Sequence, residues 1–413
     1  MGAPEAAMGW VATDLDYNPF LPEFRRDPYP FYERLRDAEP VHWNPPGIWV
    51  LTRYDDAVGM LRHPRMSSDF RNSELYLAFR EMQGIDPATE RQPSMLFRDP
   101  PDHTRLRGLV TKAFTAKRIE DLRPRMERIV DDLLDAAFAR GEMDVVADLA
   151  YPLPVTVICE MLGVPKEDHQ RFHAWSADLV VTLDPMVPPE VMARAMAAGE
   201  AFDSYLADLI AKRRRDPRDD LLSALIAAEE EGGRLSQDEL LTQLVLLLVA
   251  GHETTVNLIS NGTLALLHHR DQLDRLRDDP GLIRPGVEEL LRYYPPVQLT
   301  GRIPLEDVEI GGVHVRRGQQ VVALVGAANR DPARFDDPAR LDLTREPNRH
   351  LAFGGGIHRC LGAALARAEG QVAIGALIRR TTSIEPVTDE PVWKATITLR
   401  GLAALPVVVE ARA

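Results

Sequence analysis

The 413-residue chain has only two cysteines, Cys159 and Cys360. Two cannot build a disulfide framework or a four-cysteine zinc site, and no Cys-x-x-Cys pair occurs. Cys159 ends the apolar run Val155-Thr156-Val157-Ile158-Cys159 and reads as core. A reducing, cytoplasmic setting is therefore expected. Long apolar runs are also missing. The longest candidate, Leu244 to Gly251, falls well short of the roughly 18 residues of a membrane span, so no membrane anchor is expected. Met1 to Asp14 lacks the basic start and apolar centre of a secretory leader. Length alone favours roughly two or three domains. Yet no Gly/Ser run, Pro-rich spacer, low-complexity tract or repeat marks a boundary. Positive charge is in deficit: the net charge is -14 and lysine is scarce. A surface without clustered cations disfavours nucleic acid as a partner, and the acidic balance reads as solubility.

What is present is mostly helix. Met126, Ile129, Val130, Leu133, Leu134 and Ala137 make one apolar stripe with charges between them, and Gly141 follows as a stop. Ser236 with Glu239 three residues later is a capping-box start. The helix it opens runs from Leu240 to Ile259 and turns apolar on nearly every face, which places it inside the protein. Strand signals are fewer: Gly47 to Thr52, two short runs in Asp307 to Val315 around Gly311-Gly312, and Gln320 to Val325. The fold class expected is mainly α, with small β-sheets near the N-terminus and in the last third.

The most informative stretch is Phe353-Gly354-Gly355-Gly356-Ile357-His358-Arg359-Cys360-Leu361-Gly362. Three glycines allow unusual backbone angles and close approach to a flat ligand. Leu361 to Arg380 reads as a helix, so Cys360 stands at a helix N-terminus, where the dipole and free N–H groups favour a thiolate. The residues alone leave several readings open. Cys360 is a small buried hydrophobe, a hydrolase nucleophile with His358 badly placed as its base, or a ligand to haem iron; a zinc site lacks partners.

The pattern Phe-Gly-x-Gly-x-His-x-Cys-x-Gly resembles the haem-binding loop of the cytochrome P450 superfamily. Matching stretches run from about Pro28 to Val408. The resemblance is to bacterial, actinomycete-type thiolate-haem monooxygenases. It implies a single haem domain over residues 1–413, with haem b between the central helix and the cysteine-loop helix and Cys360 as proximal iron ligand.

Other motifs gain roles from this resemblance. Ala250-Gly251-His252-Glu253-Thr254-Thr255 puts an ionisable group inside an apolar helix, which is costly unless paired or solvated. By pattern alone, a salt-bridged Glu253 and a Thr254 bonded back to its own helix are as good a reading as a proton relay. The resemblance makes Glu253 and Thr254 catalytic, carrying protons during oxygen activation, with Gly251 leaving room for oxygen. It also makes His103, Arg107, Arg302 and His358 partners of the haem propionates, and Phe353 part of the haem loop. Glu289 and Arg292 stand at helical spacing, and Arg340 matches the third member of a structural trio.

The substrate pocket is expected along the loop from Arg91 to Arg98 (Met95, Leu96), the turn at residues 183–189 (Val187), the central helix before Gly251, the stretch from Val297 to Leu299, and the stretch from Ala395 to Ile397 with Thr396. These are mostly apolar, which suits a small hydrophobic substrate. The resemblance implies a monomer that takes electrons from a small ferredoxin and its NAD(P)H-dependent reductase, and it points to secondary metabolites: macrolides, other polyketides, terpenoids or steroids. Arg105, Lys112, Arg359 and Arg367 are candidate docking cations. A peroxide-driven peroxygenase and a non-catalytic haem sensor or carrier are the alternatives on this scaffold. The Glu253–Thr254 pair argues against both.

Overall fold

The computed structural model describes residues 15, 17–45, 47–87, 92–184, 187–230, 235–388 and 390–412. Arg91, Pro185 and Met186 of the expected pocket, and the Met1 to Asp14 segment, lie outside them.

One long helix, Gln237–His268, organises the molecule and is called the central helix below. Its capping box is formed: Glu239 N–H donates to Ser236 Oγ at 3.1 Å, and Ser236 N–H donates to Glu239 Oε2 at 2.9 Å. Every residue from Thr255 to Leu267 is buried. The helix is long and apolar enough to cross a membrane, although the run Leu244 to Gly251 was too short to suggest it. Since 67% of its apolar window is inside the protein, it is a core helix. Around it pack the helices Pro152–Leu162, Ile283–Tyr293 and Ala363–Arg380. The last of these follows Cys360 and is called the cysteine helix. The helix Ala116–Phe138 lies against it, burying Met126, Ile129, Val130, Leu134 and Ala137 from the predicted stripe. Each large side chain so buried contributes roughly 1.5–3 kcal/mol.

In chain order the strands are β1 (Val41–Asn44), β2 (Ile48–Leu51), β3 (Met66–Ser67), β4 (Glu142–Asp144), β5 (Leu299–Pro304), β6 (Val308–Ile310), β7 (Val313–Val315), β8 (Gln320–Leu324), β9 (Thr381–Pro386) and β10 (Pro406–Ala411). Among the described residues they form a five-stranded sheet in the order β1-β2-β8-β5-β3, a three-stranded sheet β4-β10-β9, and the β6–β7 hairpin. The hairpin turns at Gly311 and Gly312, both at positive φ as its geometry requires. Strands β2 and β8 match the predicted runs. Strands β1, β3, β4, β5, β9 and β10 were not expected; β1 pairs locally with β2, while β3, β4 and β5 pair with partners distant in the chain. The fold is mainly α with small sheets, as expected.

Candidate active site

The cysteine loop is held by its own backbone. Leu351 N–H donates to Asn329 Oδ1 at 2.7 Å, Gly354 N–H to the Leu351 carbonyl at 2.8 Å, and Cys360 N–H to the Phe353 carbonyl at 2.9 Å. Gly356 is at φ 65, and a Cβ there would lie 2.2 Å from the Leu61 carbonyl oxygen, so only glycine fits. The cysteine helix starts at Ala363, so Cys360 lies just ahead of the helix rather than in its first turn. Its side chain is accessible yet hemmed in by protein. Burial pushes the thiol up, while the Gly362 N–H, Arg107, Arg367 and Arg359 pull it down. A metal ion at the sulfur displaces the proton outright.

Phe353 ties this loop to the central helix. It clusters with Leu258, Val287, Leu291 and Ala363. Leu258 is one turn beyond Thr254, so Thr254 lies on the helix face that meets the cysteine side. Arg367 stacks on the Phe353 ring at 4.4 Å and pairs with Glu288 at 2.6 and 2.7 Å. Burial of Glu288 works against ionisation, but hydrogen bonds from His350 and Arg367 override it and hold the carboxyl at about 2. Arg105 is committed too, to Glu239 at 2.5 Å and Asp102 at 2.9 Å. Two of the four candidate docking cations are thus tied up in internal ion pairs, while Lys112 and Arg359 are exposed.

Four basic groups converge beside the loop. His103 is buried, and neither ring nitrogen has a hydrogen-bond partner; nor does Nε2 of His358. The two rings lie 4.2 Å apart, centroid to centroid. Burial pushes His358 down to about 3, with Arg302, His103 and Arg107 adding to the shift. Burial likewise lowers His103, helped by Arg107 and Arg302 and opposed by Asp99. Buried Arg302 is brought down to about 10 by desolvation, again opposed by Asp99. Its Nη1 donates to the Gly301 carbonyl at 2.6 Å, and Arg107 donates to the Arg359 carbonyl at 2.6 Å. Asp99 is engaged by the Ser67 hydroxyl and, at 3.0 Å, by Ser68 N–H. The cluster is short of anions, and a ligand carrying carboxylates supplies them.

On the central helix, Thr254 Oγ1 donates to the Ala250 carbonyl at 3.1 Å. Glu253 is 8% exposed and pairs with Lys394 Nζ at 2.5 Å. His252, between them and Gly251, accepts or donates at Ser176 Oγ, 2.8 Å away, and contacts the Leu248 carbonyl at 2.7 Å. The missing side chain of Gly251 is directed at Ile158, where a Cβ would lie 2.9 Å from Cγ1, so the glycine lets the helix Pro152–Leu162 approach.

The structural trio changes. Glu289 and Arg292 are fully buried and joined at 2.7 and 2.8 Å. The second guanidinium on Glu289 is that of Arg345, at 3.1 Å, not Arg340. Arg340 is exposed and contributes its backbone carbonyl to Arg292 at 3.0 Å. The two arginines close successive turns, Asp337–Arg340 and Asp342–Arg345, and spacing could not tell which one points inward.

The expected pocket residues fall into separate groups. Met95 is buried, its N–H held by Gln243 Oε1 of the central helix at 3.0 Å, while neighbouring Leu96 is exposed. Val187 is half-buried ahead of the helix Pro189–Arg215. Val297 and Leu299 are half-buried, and Val297 bridges to Leu399. Ile397 is buried, and its N–H reaches Asp184 at 3.0 Å. The Thr396 hydroxyl donates to the Leu399 carbonyl at 2.6 Å, so its polar group serves the turn. Sequence reasoning missed Lys394, Asp184, Gln243 and Arg345, whose roles depend on partners far along the chain.

A family model for cytochrome P450 matches residues 47–280 and 282–403. The chain belongs to the cytochrome P450 family. Cytochrome P450 107B1 of Saccharopolyspora erythraea is 46% identical over 396 residues, 93% of this chain and 95% of that protein. The polyketide biosynthesis cytochrome P450 PksS of Bacillus subtilis is 41% identical over 406 residues, 95% of this chain and 98% of that protein. The ligand-free crystal structure of Mycobacterium smegmatis CYP164A2 has a TM-score of 0.88 at 42% identity, covering 96% of this chain and 98% of that one. This P450 is a monooxygenase whose family uses haem, and its relatives point to secondary metabolites. The residues fit that cofactor. The partnerless nitrogens of His103 and His358, with Arg107 and Arg302, suit its two propionates, and Cys360 offers a sulfur ligand on the adjoining loop.

Proposed function

We propose that this P450 holds haem b through Cys360, with His103, Arg107, Arg302 and His358 on the propionates and Phe353 packed under the loop. In this reading, residues 1–413 make one haem domain. Haem, once bound, supplies dioxygen activation, and the thiolate ligand raises electron density at the iron, a general property of this class.

The remaining work belongs to side chains. Glu253 takes protons from solvent and passes them to Thr254, whose hydroxyl is both donor and acceptor. Met95, Val187, Val297, Leu299 and Ile397 exclude water and orient an apolar substrate, which is hydroxylated or epoxidised. The name of PksS supports a polyketide as its class; macrolides, terpenoids and steroids fit the same apolar lining. Electrons come from NAD(P)H through a separate ferredoxin and reductase, in the cytoplasm. The exposed Lys112 and Arg359 remain for docking.

One observation carries the reading: the anion-poor basic cluster stands beside a cysteine that the central helix faces with Thr254. Two variants test it. Cys360→Ser abolishes the red-shifted Soret band of the reduced CO adduct; retention of that band overturns the ligand. Thr254→Ala keeps the haem but diverts electrons to peroxide; unchanged coupling to product overturns the relay.

A further inference from the structure

The loop at residues 393–402 lies along one polar stripe of the central helix. Glu253, Asn257 and Asn261 are spaced one turn apart and share a face. All three meet this loop. Lys394 Nζ donates to Glu253 Oε1 at 2.5 Å. A Cβ on Gly401 would fall 1.8 Å from Asn257 Oδ1, so the loop backbone presses on that amide. Asn261 Nδ2 donates to the Arg400 carbonyl at 2.9 Å.

The same loop reaches the proposed substrate residues. Ile397 and Thr398 N–H donate to the Asp184 carboxylate at 3.0 and 2.7 Å, and the Thr398 hydroxyl donates to the Leu183 carbonyl at 2.9 Å. These bonds fix the turn that carries Thr396 and Ile397. Beside it is a cavity of about 20 Å³, lined by Lys394, Thr396, Ile397, Gln298, Tyr32 and Arg400 among others. That is room for about one water with polar partners.

A carboxylate this deeply buried depends on its partner for orientation. We propose that Lys394 is a positioning residue for proton delivery: it fixes the Glu253 carboxylate at the solvent end of the relay, so that proton transfer to Thr254 depends on the seating of the loop that carries Thr396 and Ile397. The proposal rests on the relay reading above. It adds a residue outside the oxygen-activation segment and links the substrate side of the protein to the acid.

The test uses the haem-loaded enzyme with its redox partners, comparing Lys394→Met, Lys394→Arg, Glu253→Gln and the double variant of Lys394→Met with Glu253→Gln. General acid–base groups contribute roughly 10²–10⁴-fold to a rate, so misplacing one lowers product per NAD(P)H by roughly ten-fold. Lys394→Met should show that loss and a larger solvent deuterium isotope effect on product formation, and Lys394→Arg should restore most of both. In the Glu253→Gln background Lys394→Met should add nothing. Away from turnover, the two single variants should lower the denaturant midpoint non-additively, and each should raise hydrogen exchange over residues 393–402. Normal coupling in Lys394→Met overturns the proposal, as does a full Lys394→Met effect persisting in Glu253→Gln. If Glu253→Gln alone leaves coupling and isotope effect unchanged, the relay reading itself falls and takes the proposal with it.

Discussion

Replacing Arg292 by alanine should nearly unfold this protein. Arg292 and Glu289 are both fully buried. The guanidinium makes two bonds to Glu289, at 2.7 and 2.8 Å, and one each to the carbonyls of Asn329, Pro338 and Arg340, at 3.1, 2.8 and 3.0 Å. Removing one partner of a buried pair costs about 3–5 kcal/mol. Arg345 stays at 3.1 Å from Glu289, which favours the lower end of that range. Each carbonyl left unpaired inside the protein adds about 1–3 kcal/mol. These losses overlap, so the total is taken as about 5 kcal/mol rather than their full sum. Whole domains are stable by only about 5–15 kcal/mol. Arg292→Lys keeps the charge but cannot reach all five acceptors, and losing two charged bonds costs about 3 kcal/mol. The assay is guanidinium unfolding of the haem-loaded protein, with midpoints compared at a common slope. An Arg292→Ala midpoint within about 1 kcal/mol of the parent would refute the buried-pair argument. The same substitution at Arg340, whose side chain is exposed, should change the midpoint by no more than about 0.5 kcal/mol.

Two further predictions concern the cysteine side. Gly356→Ala drives a Cβ against the Leu61 carbonyl at positive φ, so haem incorporation should fall sharply while far-UV circular dichroism stays near the parent's; full haem content would show that the loop can move aside. Glu369 lies buried on the cysteine helix, and burial lifts its carboxyl from 4.5 to about 8, with the Thr255 hydroxyl pulling the other way. The folded state then holds a proton that the unfolded state loses above about pH 4.5. Stability therefore falls as pH rises through that window, and the loss is complete above about pH 8. Glu369→Gln removes the dependence, so it should gain on the parent by at least about 2 kcal/mol between about pH 5 and pH 8.5; a constant difference in unfolding free energy would show that Glu369 does not titrate there.

The sequence carried much of this architecture in local form. The capping box at Ser236, the stripe from Met126 to Ala137 and the Gly311-Gly312 hairpin depend on neighbours a few residues away, and each appears where the pattern puts it. The cysteine loop was equally legible, because its glycines and Cys360 are contiguous. What escaped were choices made across the fold. Gly251 lets Ile158, 93 positions away in the chain, approach the central helix, a contact that no local pattern shows. Arg340 and Arg345 close successive turns, and only the path of the chain past Glu289 selects Arg345. Lys394 meets Glu253 across 141 residues, a pairing no spacing rule encodes.

The treatment of buried charge bears independently on the proposed haem position. Several charges buried elsewhere are paired, Arg292 with Glu289, Arg213 with Asp220 at 3.0 Å and Glu253 with Lys394, while buried Arg36, Arg330 and Arg400 donate to backbone carbonyls. Unpaired burial is expensive, so that pattern is what folding energetics demand. The group formed by His103, Arg107, Arg302 and His358 departs from it. Burial pushes His103, Arg302 and His358 toward their neutral forms, and three ring nitrogens are left without partners. A set of basic groups so short of anions suits a ligand that brings its own, as the proposed haem propionates would. Burial and missing partners thus support the proposed placement of the propionates without appeal to Cys360 or to any family pattern.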